Sequence, residues 1–367
     1  MARAEILTAM SGTSKNAVLV TGGAGYIGSH TCKALRDAGR LPVVYDNLRT
    51  GFREAVRWGP LVHGDLRDPH ALSEAIERFE IGAVIHFAGL IEVGRSTVEP
   101  DLFWEINVAG TGNLLRVMRR HGVERLVFSS SAAVYGQAGR DPLDLITEAD
   151  PKAPASPYGD TKLAAEWMIA AQARATGLRA VALRYFNAAG ADRSGLIGEA
   201  HEPETHLLPL AIAAALGRGR PLTVFGEDFP TPDGTCLRDY IHVTDLAAAH
   251  VAALRADLPT GAFEAFNVGT GQGHSVSEVV AAVGRAVGAP VPYSVGPRRD
   301  GDPPSLIADP SRARRRLDWA PRVSSLDAIV ADAVRWERNP AYGAGLRAAP
   351  ARPERLEERL ELSGFRQ

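Results

Sequence analysis

The sequence predicts an α/β protein in which a doubly wound parallel sheet is followed by a smaller, irregular α/β lobe. Short apolar runs rich in β-branched residues alternate with helical stretches from Ala17 to Tyr185, a rhythm typical of a parallel sheet with helices on both faces. A glycine-rich turn directly follows the first of these runs and opens the first helix. From about Ala188 onward, glycine, proline and charged residues interrupt the helices. The sheet is therefore expected mainly in the first half of the chain and the irregular lobe after it.

The glycine-rich turn spans residues 22–28, with the sequence GGAGYIG, and follows the predicted strand 17–21. Its glycines satisfy both G-x-G-x-x-G and G-x-x-G-x-x-G, spacings that let backbone amides and a helix N-terminus approach a pyrophosphate. The second predicted strand ends in Asp46, at about the twenty-residue distance expected for this motif. A carboxylate there accepts hydrogen bonds from ribose hydroxyls and repels a 2′-phosphate. The sequence therefore predicts a Rossmann-type site that prefers NAD to NADP, a preference that Arg49 and Arg53 would weaken.

Small or polar residues follow several other predicted strands. Asp65, Ala88, Ser131 and Asn187 each lie at or just beyond such a strand end. Because ligands of doubly wound sheets bind beyond the carboxyl ends of the strands, these residues are candidates for the site. His86 lies within a buried run instead, and we interpret it as a core histidine whose polar atoms are satisfied.

A second chemical signal lies in a predicted helix that begins at Ser156-Pro157 and ends at Gly177. Tyr158 and Lys162 are four residues apart, so they share one face of this helix. A free tyrosine has a pKa of about 10, and a nearby ammonium group favours its phenolate form. The pair is thus predicted to supply a general base, although the same spacing also occurs on solvated helix faces that have no catalytic role.

Composition excludes several classes of protein. The 367 residues are 45% hydrophobic and 23% charged, which is ordinary for a globular protein. A formal net charge of −2 gives no electrostatic reason to expect nucleic acid or a membrane surface as a partner. Cys32 and Cys236 are too few for a disulfide framework or a zinc site, so no metal is expected, and a reducing cytoplasm suits them. Neither a bilayer span nor a signal peptide is recognisable.

Seven stretches of the chain, taken together, resemble the extended short-chain dehydrogenase/reductase family, and within it the branch of UDP-glucose (UDP-galactose) 4-epimerases. The resemblance runs from about residue 17 to residue 339, with motifs from both lobes in the family's order. The stretches that carry it are 22–32, 84–90, 128–136, 156–163, 184–187, 233–243 and 297–302.

The resemblance implies reversible epimerisation at C4 of UDP-glucose and UDP-galactose, through a transient 4-keto sugar and bound NAD. It makes Ser131, Tyr158 and Lys162 the catalytic residues. The implied cofactor contacts are Gly22, Gly25, Tyr26, Ile27, Gly28, Asp46, Asn47, Asp65, Leu66, Phe87, Ala88, Gly89, Asn107, Ser129, Tyr158, Lys162 and Tyr185. The implied substrate contacts are Ser131, Tyr158, Asn187, His206, Leu207, Phe225, Arg238, Arg299, Asp302 and Leu306.

The resemblance also implies an assembly. A homodimer is expected, held by a four-helix bundle of the helices Glu99–Arg120 and Ser156–Thr176 from each subunit. Together with the composition and the rhythm of the elements, the expected division is a disordered extension (1–16), an NAD-binding domain (17–187), a UDP-sugar-binding lobe whose chain crosses back near 239–270 (188–340), and a tail (341–367).

Some residues depart from the family's pattern. Ile91 replaces a frequent lysine, Ala133 a threonine, Thr205-His206 an asparagine pair and Leu306 a tyrosine. These changes leave open a related enzyme, such as a UDP-N-acetylhexosamine or a UDP-uronate/pentose 4-epimerase. A dehydratase is disfavoured because no acidic pair follows Ser131. A non-catalytic NAD-binding sensor is disfavoured because all three catalytic residues are present.

Overall fold

The computed structural model describes residues 16–136, 144–299 and 302–343 of the chain. Residues 1–15 of the predicted extension and residues 344–367 of the predicted tail lie outside these ranges. The first part alternates strands and helices. Its elements are β1 (Ala17–Thr21), α1 (Tyr26–Asp37), β2 (Leu41–Asp46), β3 (Leu61–His63), α2 (Pro69–Arg78), β4 (Ala83–His86), α3 (Val93–Ser96), α4 (Pro100–Phe103), α5 (Gly110–Arg120), β5 (Arg125–Ser129), α6 (Pro157–Thr176) and β6 (Arg179–Tyr185).

The later part of the chain contains further helices and mostly short strands. They are β7 (Asn187–Ala189), α7 (Leu207–Ala215), β8 (Leu222–Phe225), β9 (Leu237–His242), α8 (Val243–Arg255), β10 (Phe263–Val268), β11 (Gly273–Ser275), α9 (Val276–Val287), β12 (Tyr293–Gly296), β13 (Ser305–Leu306), α10 (Ser311–Leu317) and α11 (Leu326–Arg338). Within the described ranges, no helix combines the length and apolar character needed to cross a bilayer.

The main sheet has seven strands in the order β10-β6-β5-β4-β1-β2-β3, and every neighbouring pair is parallel. This confirms the predicted doubly wound parallel sheet. Strand β10 comes from the later part of the chain and pairs with β6, so the chain does return to the main sheet. Strand β9 instead lies at the centre of a small sheet with β7, β11 and β13, and β8 pairs with β12.

Both faces of the main sheet are buried, which explains why its strands are almost continuously apolar. Along β1, Leu19 points into the core on one face, whereas Val18 and Val20 point into the core on the other. His86, in β4, is buried and hydrogen-bonds Thr21 Oγ1 at 2.7 Å and Thr111 Oγ1 at 3.0 Å. Its interpretation as a satisfied core histidine is confirmed.

Helix α6 begins and ends as its sequence predicts. Ser156 Oγ accepts a hydrogen bond from the N–H of Gly159 at 3.2 Å, and Pro157 occupies the first helical position. Gly177 ends the helix in the left-handed conformation with φ 80°. These signals fix the rotation of the helix, and with it the direction in which Tyr158 and Lys162 point.

The predicted helix Glu99–Arg120 is interrupted, which corrects the sequence-based expectation of one regular helix. A π-helical turn, Trp104–Ala109, joins α4 to α5. This turn carries Asn107, whose amide reaches out of the helix to the backbone of Leu90. Such wide turns occur often at functional sites, and the sequence contains no proline or glycine at the turn that would have revealed it.

Candidate active site

The glycine-rich turn between β1 and α1 is shaped to admit a large anion. Gly22 has φ +71°, and a Cβ there would lie 2.7 Å from the backbone N of Ala88. A Cβ on Gly28 would lie 2.2 Å from the carbonyl oxygen of Gly22. No side chain caps the N-terminus of α1, whose cap residue is Gly25. The residues present therefore fit the pyrophosphate of a dinucleotide, which the backbone amides near Tyr26 and Ile27 would hold.

Asp46 ends β2 beside this turn, where the sequence places the ribose-binding carboxylate. Its Oδ2 accepts a hydrogen bond from Ala24 N at 3.0 Å, and its Oδ1 accepts one from Leu48 N at 2.8 Å. Burial raises the pKa of the carboxyl, and these two amides act against that rise. Asp46 thus ties the glycine turn to the β2 loop and keeps a carboxylate next to the pyrophosphate cradle.

The cofactor-binding candidates on the neighbouring loops are held by an ion pair and a hydrogen bond to Asp65. The Asp65 carboxylate accepts hydrogen bonds from Arg67 Nε at 2.9 Å and from Asn47 Nδ2 at 2.8 Å. The hydrogen bond from Arg67 holds the pKa of Asp65 well below its usual range. Leu66 is buried in the core beside Gly110. The predicted cofactor residues 46, 47, 65 and 66 therefore lie on neighbouring loops at one end of the sheet.

The loop after β4, residues 87–90, is held by hydrogen bonds between the Asn107 side chain and the backbone of Leu90. Asn107 Oδ1 accepts a hydrogen bond from Leu90 N at 2.8 Å, and its Nδ2 donates to Leu90 O and to Thr161 Oγ1, each at 3.1 Å. A Cβ on Gly89 would lie 2.9 Å from Asn107 Oδ1. Asn107 thus positions the loop that carries Phe87 and Gly89, while a direct contact with the cofactor stays a prediction.

Ser131, Tyr158 and Lys162 lie together beyond the carboxyl end of β5. Tyr158 is 8% exposed and its phenol is hydrogen-bonded to Ser131. The Lys162 Nζ lies 5.8 Å from the centroid of the Tyr158 ring and donates to the Ser129 carbonyl at 2.9 Å. Ser129 Oγ in turn lies 2.5 Å from the hydroxyl of Tyr185. The catalytic candidates from β5, α6 and β6 thus share one buried cluster.

Burial and a hydrogen bond act in opposite directions on the acidity of Tyr158. Burial raises the pKa of the phenol, and the hydrogen bond from Ser131 lowers it. Burial also lowers the pKa of Lys162 to about 8, against the opposing charge of Glu166. The Lys162 Nζ is hydrogen-bonded to the Ser129 carbonyl and lies 5.8 Å from the centroid of the Tyr158 ring, so the effect of its charge on the pKa of Tyr158 stays a prediction. Ser131 favours the phenolate.

A buried ion pair lies directly behind this cluster, and sequence reasoning missed it. Glu166 accepts hydrogen bonds from Arg184 Nε at 2.9 Å and from Ser130 Oγ at 2.5 Å. Arg184 Nη1 also donates to the Tyr135 hydroxyl at 2.9 Å, which donates to Asn267 Oδ1 at 2.6 Å. Glu166 follows Lys162 by one helical turn, a spacing that places it on the same helix face but does not reveal its partner Arg184. The network joins α6, β5, β6 and β10 immediately behind the catalytic residues.

The predicted anion-binding residues of the second lobe also lie together. Asp302 accepts a hydrogen bond from Arg299 Nε at 2.8 Å, and its Oδ1 lies 3.5 Å from Arg238 Nη2. The Arg299 guanidinium lies 5.1 Å from the ring centroid of Phe225, which is 40% exposed. Two guanidinium groups share one carboxylate, so the group keeps a net positive charge next to an accessible aromatic face. Such a group suits a phosphate and a planar base.

Two further predicted substrate residues lie on strands of the small sheet. Asn187 is paired with Tyr240, and Leu306 is paired with Arg238. The Leu306 side chain packs against a cluster that includes Leu163, the residue next to Lys162. Leu306 therefore lies between the arginine group of the second lobe and the catalytic helix α6.

His206 is a predicted substrate residue and directly precedes Leu207, the first residue of α7. It lies in a cluster that the sequence analysis did not predict. Its Nδ1 lies 2.8 Å from Glu199 Oε1 and 3.2 Å from Glu204 Oε1. Burial lowers the pKa of His201, but the nearby carboxylates of Glu199 and Glu204 outweigh this and raise it to about 9. The signal in the sequence was the spacing E-x-H-x-x-E-x-H from residue 199 to residue 206.

Comparison with known proteins agrees with this geometry. Residues 18–269 match the model of the NAD dependent epimerase/dehydratase family. The UDP-glucose 4-epimerase of Halalkalibacterium halodurans is 46% identical over 327 residues, which cover 89% of this chain and 97% of that protein.

Two solved structures are similar along nearly their whole length. The UDP-glucose 4-epimerase of Brucella ovis in complex with NAD is 49% identical with a TM-score of 0.84, covering 88% of this chain and 98% of that one. The enzyme of Bifidobacterium longum in complex with NAD⁺ and UDP is 37% identical with a TM-score of 0.84, covering 89% and 99%. The chain belongs to the NAD dependent epimerase/dehydratase family.

Proposed function

We propose that this protein interconverts UDP-glucose and UDP-galactose by epimerisation at C4 of the sugar, through a transient 4-keto sugar. The single observation that carries the proposal is the cluster of Tyr158, Ser131 and Lys162 at the same sheet edge as the glycine-rich cradle. A base, a hydroxyl and a dinucleotide site in this relation suit the reversible oxidation of a secondary alcohol. Bound NAD supplies the acceptor that takes up the C4 hydride and later returns it.

Tyr158 is the base of the reaction. Its phenolate accepts the proton from the 4-hydroxyl group and returns it when the alcohol forms again. Ser131 donates a hydrogen bond to the phenolate and so holds the phenolate in the reacting position. The 4-hydroxyl group of the sugar donates a second hydrogen bond to the same phenolate oxygen. Burial keeps water away from the phenol, which strengthens both hydrogen bonds. Lys162 donates to the Ser129 carbonyl and keeps a positive charge within 6 Å of the Tyr158 ring.

The second lobe holds the nucleotide part of the substrate. Arg238 and Arg299 contact the phosphates, and Phe225 contacts the uracil ring. Asn187, His206 and Leu207 complete the pocket on the side of α7. Arg238 and Arg299 bind the diphosphate and not the sugar. The 4-keto sugar is therefore free to turn about the diphosphate and present its other face to the cofactor.

The assay that tests this proposal is incubation of the purified protein with UDP-galactose, followed by chromatography of the nucleotide sugars. UDP-glucose is the expected product, at an equilibrium reached from either side. UDP-N-acetylgalactosamine and a UDP-uronate are tested in parallel as the substrates of related enzymes. No turnover of UDP-galactose, with turnover of either of these sugars, would contradict the assignment.

We expect NAD to co-purify with the protein, with no added reductant needed for turnover. The hydride leaves and returns within one catalytic cycle, and loss of the cofactor in mid-cycle would strand the keto sugar. The measurement is the release of NAD from acid-denatured protein, at about one equivalent per chain. Protein that is free of cofactor, or activity that consumes NADPH stoichiometrically, would contradict this prediction.

Leu306 is expected to restrict the C2 substituent of the sugar. Its side chain fills space between Arg238 and the catalytic helix, and it has no polar atom for an acetamido group. A mismatch of about 1–3 kcal/mol gives roughly 10–200-fold discrimination. We therefore expect kcat/KM for UDP-galactose to exceed that for UDP-N-acetylgalactosamine by at least about tenfold.

Leu306→Gly is the variant that tests this restriction. It should narrow the ratio of the two kcat/KM values, mainly by improving the N-acetylated substrate. Equal kcat/KM values for the two sugars in the unmutated protein would show that another residue, such as Ser305, makes room for the acetamido group.

A homodimer is proposed through the α4–α5 segment and α6. Trp104 and Trp167 lie on these elements and are 43% and 66% exposed, and large exposed aromatic residues are enriched in interfaces. Light scattering at micromolar concentration should therefore give the mass of two chains. Trp167→Glu should weaken the dimer by about 2 kcal/mol or more if Trp167 is central to it. Tyr293→Glu, at a 51% exposed residue of β12, is the matched control and should leave the dimer intact.

The proposed location is the cytoplasm, and no nucleic acid or membrane partner is proposed. Cys32 and Cys236 are both free and buried, as suits a protein kept in a reducing compartment. The formal net charge of −2 favours neither a nucleic acid nor an anionic membrane surface.

A further inference from the structure

Four His and Glu side chains converge in the segment that leads into α7. Among the described residues, Glu199, His201, Glu204 and His206 offer one ligand atom each, and all four atoms lie within 4.8 Å of one another. Glu199 is buried, His201 and Glu204 are mostly buried, and His206 is half-exposed. The cluster is mixed in chemistry, with two imidazole nitrogens and two carboxylate oxygens.

The distances in the cluster are close to those of a tetrahedral ion site. His201 Nδ1 lies 3.4 Å from Glu199 Oε1 and 3.7 Å from Glu204 Oε2. His206 Nδ1 lies 2.8 Å from Glu199 Oε1 and 3.2 Å from Glu204 Oε1. Ligands at about 2.0–2.2 Å from a tetrahedral Zn²⁺ are separated from one another by about 3.3–3.6 Å. These His–Glu pairs need shifts of about half an ångström to hold the ion, and any pair near the 4.8 Å limit of the cluster would have to close by about 1 Å.

A second observation points independently to a missing ligand. The Nδ1 atom of His201 is buried and has no hydrogen-bond partner within the described part of the chain. A buried polar atom without a partner is costly. This nitrogen faces the two carboxylates, at distances too long for good hydrogen bonds and suitable for an ion between them.

The ligand side chains are themselves held in place. Glu204 Oε1 accepts hydrogen bonds from the N–H groups of Thr205 and His206, each at 2.8 Å. The Glu199 carbonyl accepts a hydrogen bond from Trp336 Nε1 at 2.7 Å, which fixes the backbone on the other side. Ligands that are oriented by such partners bind a metal more tightly than free side chains.

We propose that Glu199, His201, Glu204 and His206 form a binding site for a divalent transition-metal ion, with Zn²⁺ as the ion that fits best. Imidazole nitrogen and carboxylate oxygen are both ordinary zinc ligands, and four protein ligands make a structural site. An ion can reach the site from solvent, because the side chain of His206 is 49% exposed. The proposal departs from the sequence-based expectation that the protein has no metal.

The ion would brace the segment that carries the substrate residues His206 and Leu207. The ring of Tyr26, in the first turn of α1, packs edge-on against His201 with centroids 6.3 Å apart. The site therefore connects the cofactor turn to the beginning of α7. It takes no part in the chemical step and stands whether or not the protein is an epimerase.

The test uses the full-length, tag-free protein with its bound NAD, first dialysed against a chelator. Zn²⁺ is then titrated against a chromogenic competitor, and Co²⁺ is added separately as a spectroscopic probe of coordination. His201→Ala and Glu204→Gln each remove one ligand. His274→Ala is the matched control, because His274 is also mostly buried, at 23% exposure, and lies 3.6 Å from a glutamate, Glu278.

The unmutated protein and His274→Ala should each bind one Zn²⁺ per chain, and Co²⁺ should give the visible absorption of a tetrahedral site. Loss of a group that merely orients a ligand costs about 10–100-fold in affinity, so loss of a direct ligand should cost at least about a hundredfold. NAD content and circular dichroism of each variant show that it is folded. Absence of stoichiometric Zn²⁺ binding in the unmutated protein would overturn the proposal. Undiminished binding by His201→Ala and Glu204→Gln would overturn it as well.

Discussion

Tyr158→Phe is expected to lower kcat by about 10²–10⁴-fold, while the protein stays folded and keeps its cofactor. The substitution removes only the phenolic oxygen, which accepts the proton from the sugar in the proposed mechanism. The ring remains, so its packing with Leu90 and Phe103 is preserved. KM should change little, because the proposed anchors of the nucleotide part of the substrate, Arg238 and Arg299, lie in the other lobe. Steady-state kinetics with UDP-galactose give both constants.

The matched control for this variant is Tyr240→Phe. Tyr240 is also a buried tyrosine, 6% exposed, but it lies in β9 and packs in the core of the second lobe. It should keep kcat within a few-fold of the unmutated value. Equal effects of the two substitutions, or near-normal turnover by Tyr158→Phe, would remove Tyr158 from the mechanism.

Ser131→Ala extends the same prediction to pH dependence. The hydrogen bond from Ser131 lowers the pKa of Tyr158, so its loss leaves the rise caused by burial unopposed. A higher pKa means that a larger pH is needed to form the phenolate. The acidic limb of the kcat profile should therefore move to higher pH in this variant. An unmoved limb with a lowered kcat would show that Ser131 acts only on the substrate.

Glu166→Gln is expected to destabilise the protein by about 3–5 kcal/mol, because it leaves the Arg184 guanidinium buried without its counter-charge. The side chains of Glu166 and Arg184 are 2% and 6% exposed, so water cannot replace the lost carboxylate. The variant should also impair turnover through Lys162. Glu166 raises the pKa of Lys162 against burial, so its loss should move the alkaline limb of the kcat profile to lower pH.

Glu124→Gln is the matched control that shows how much of the stability loss in Glu166→Gln is due to burial of the ion pair. Glu124 also pairs with an arginine, Arg179, at 3.2 Å, but the two side chains are 64% and 26% exposed. Exposed pairs of this kind contribute about 0–1 kcal/mol. The midpoint of urea unfolding, measured with saturating NAD, separates the two variants. A loss of stability in Glu166→Gln no larger than that in Glu124→Gln would contradict the role assigned to the buried pair.

Much of the cofactor half could be predicted from the sequence, for physical reasons. A parallel sheet that is covered on both sides needs strands that are apolar on both faces. The sequences of β1 and β4 are almost entirely apolar, so they predict such strands. The tight turn after β1 tolerates only glycine at Gly22 and Gly28, where a Cβ would collide with backbone. The cap at Ser156 and the break at Gly177 fixed the bounds of α6. These are local signals, so one sequence suffices to find them.

The features that sequence reasoning missed depend on contacts between distant parts of the chain. Nothing local to Glu166 shows that Arg184 lies beside it. The hydrogen-bond partner of Lys162, a carbonyl of β5, is likewise set by tertiary structure. The cluster around His201 required a turn that folds Glu199 and Glu204 onto the same point. Its sequence spacing is regular, but the spacing alone gives no geometry.

The most direct test of the central claim is the fate of hydrogen at C4 of the sugar. UDP-galactose labelled with deuterium at C4 is incubated with the purified protein, and the UDP-glucose formed is analysed by mass spectrometry and NMR. The account predicts that deuterium stays at C4 of the same molecule and that none enters the solvent, because the hydride is removed and returned within one closed site. Loss of the label to water, or its absence from C4 of the product, would contradict epimerisation through a 4-keto sugar on a bound cofactor.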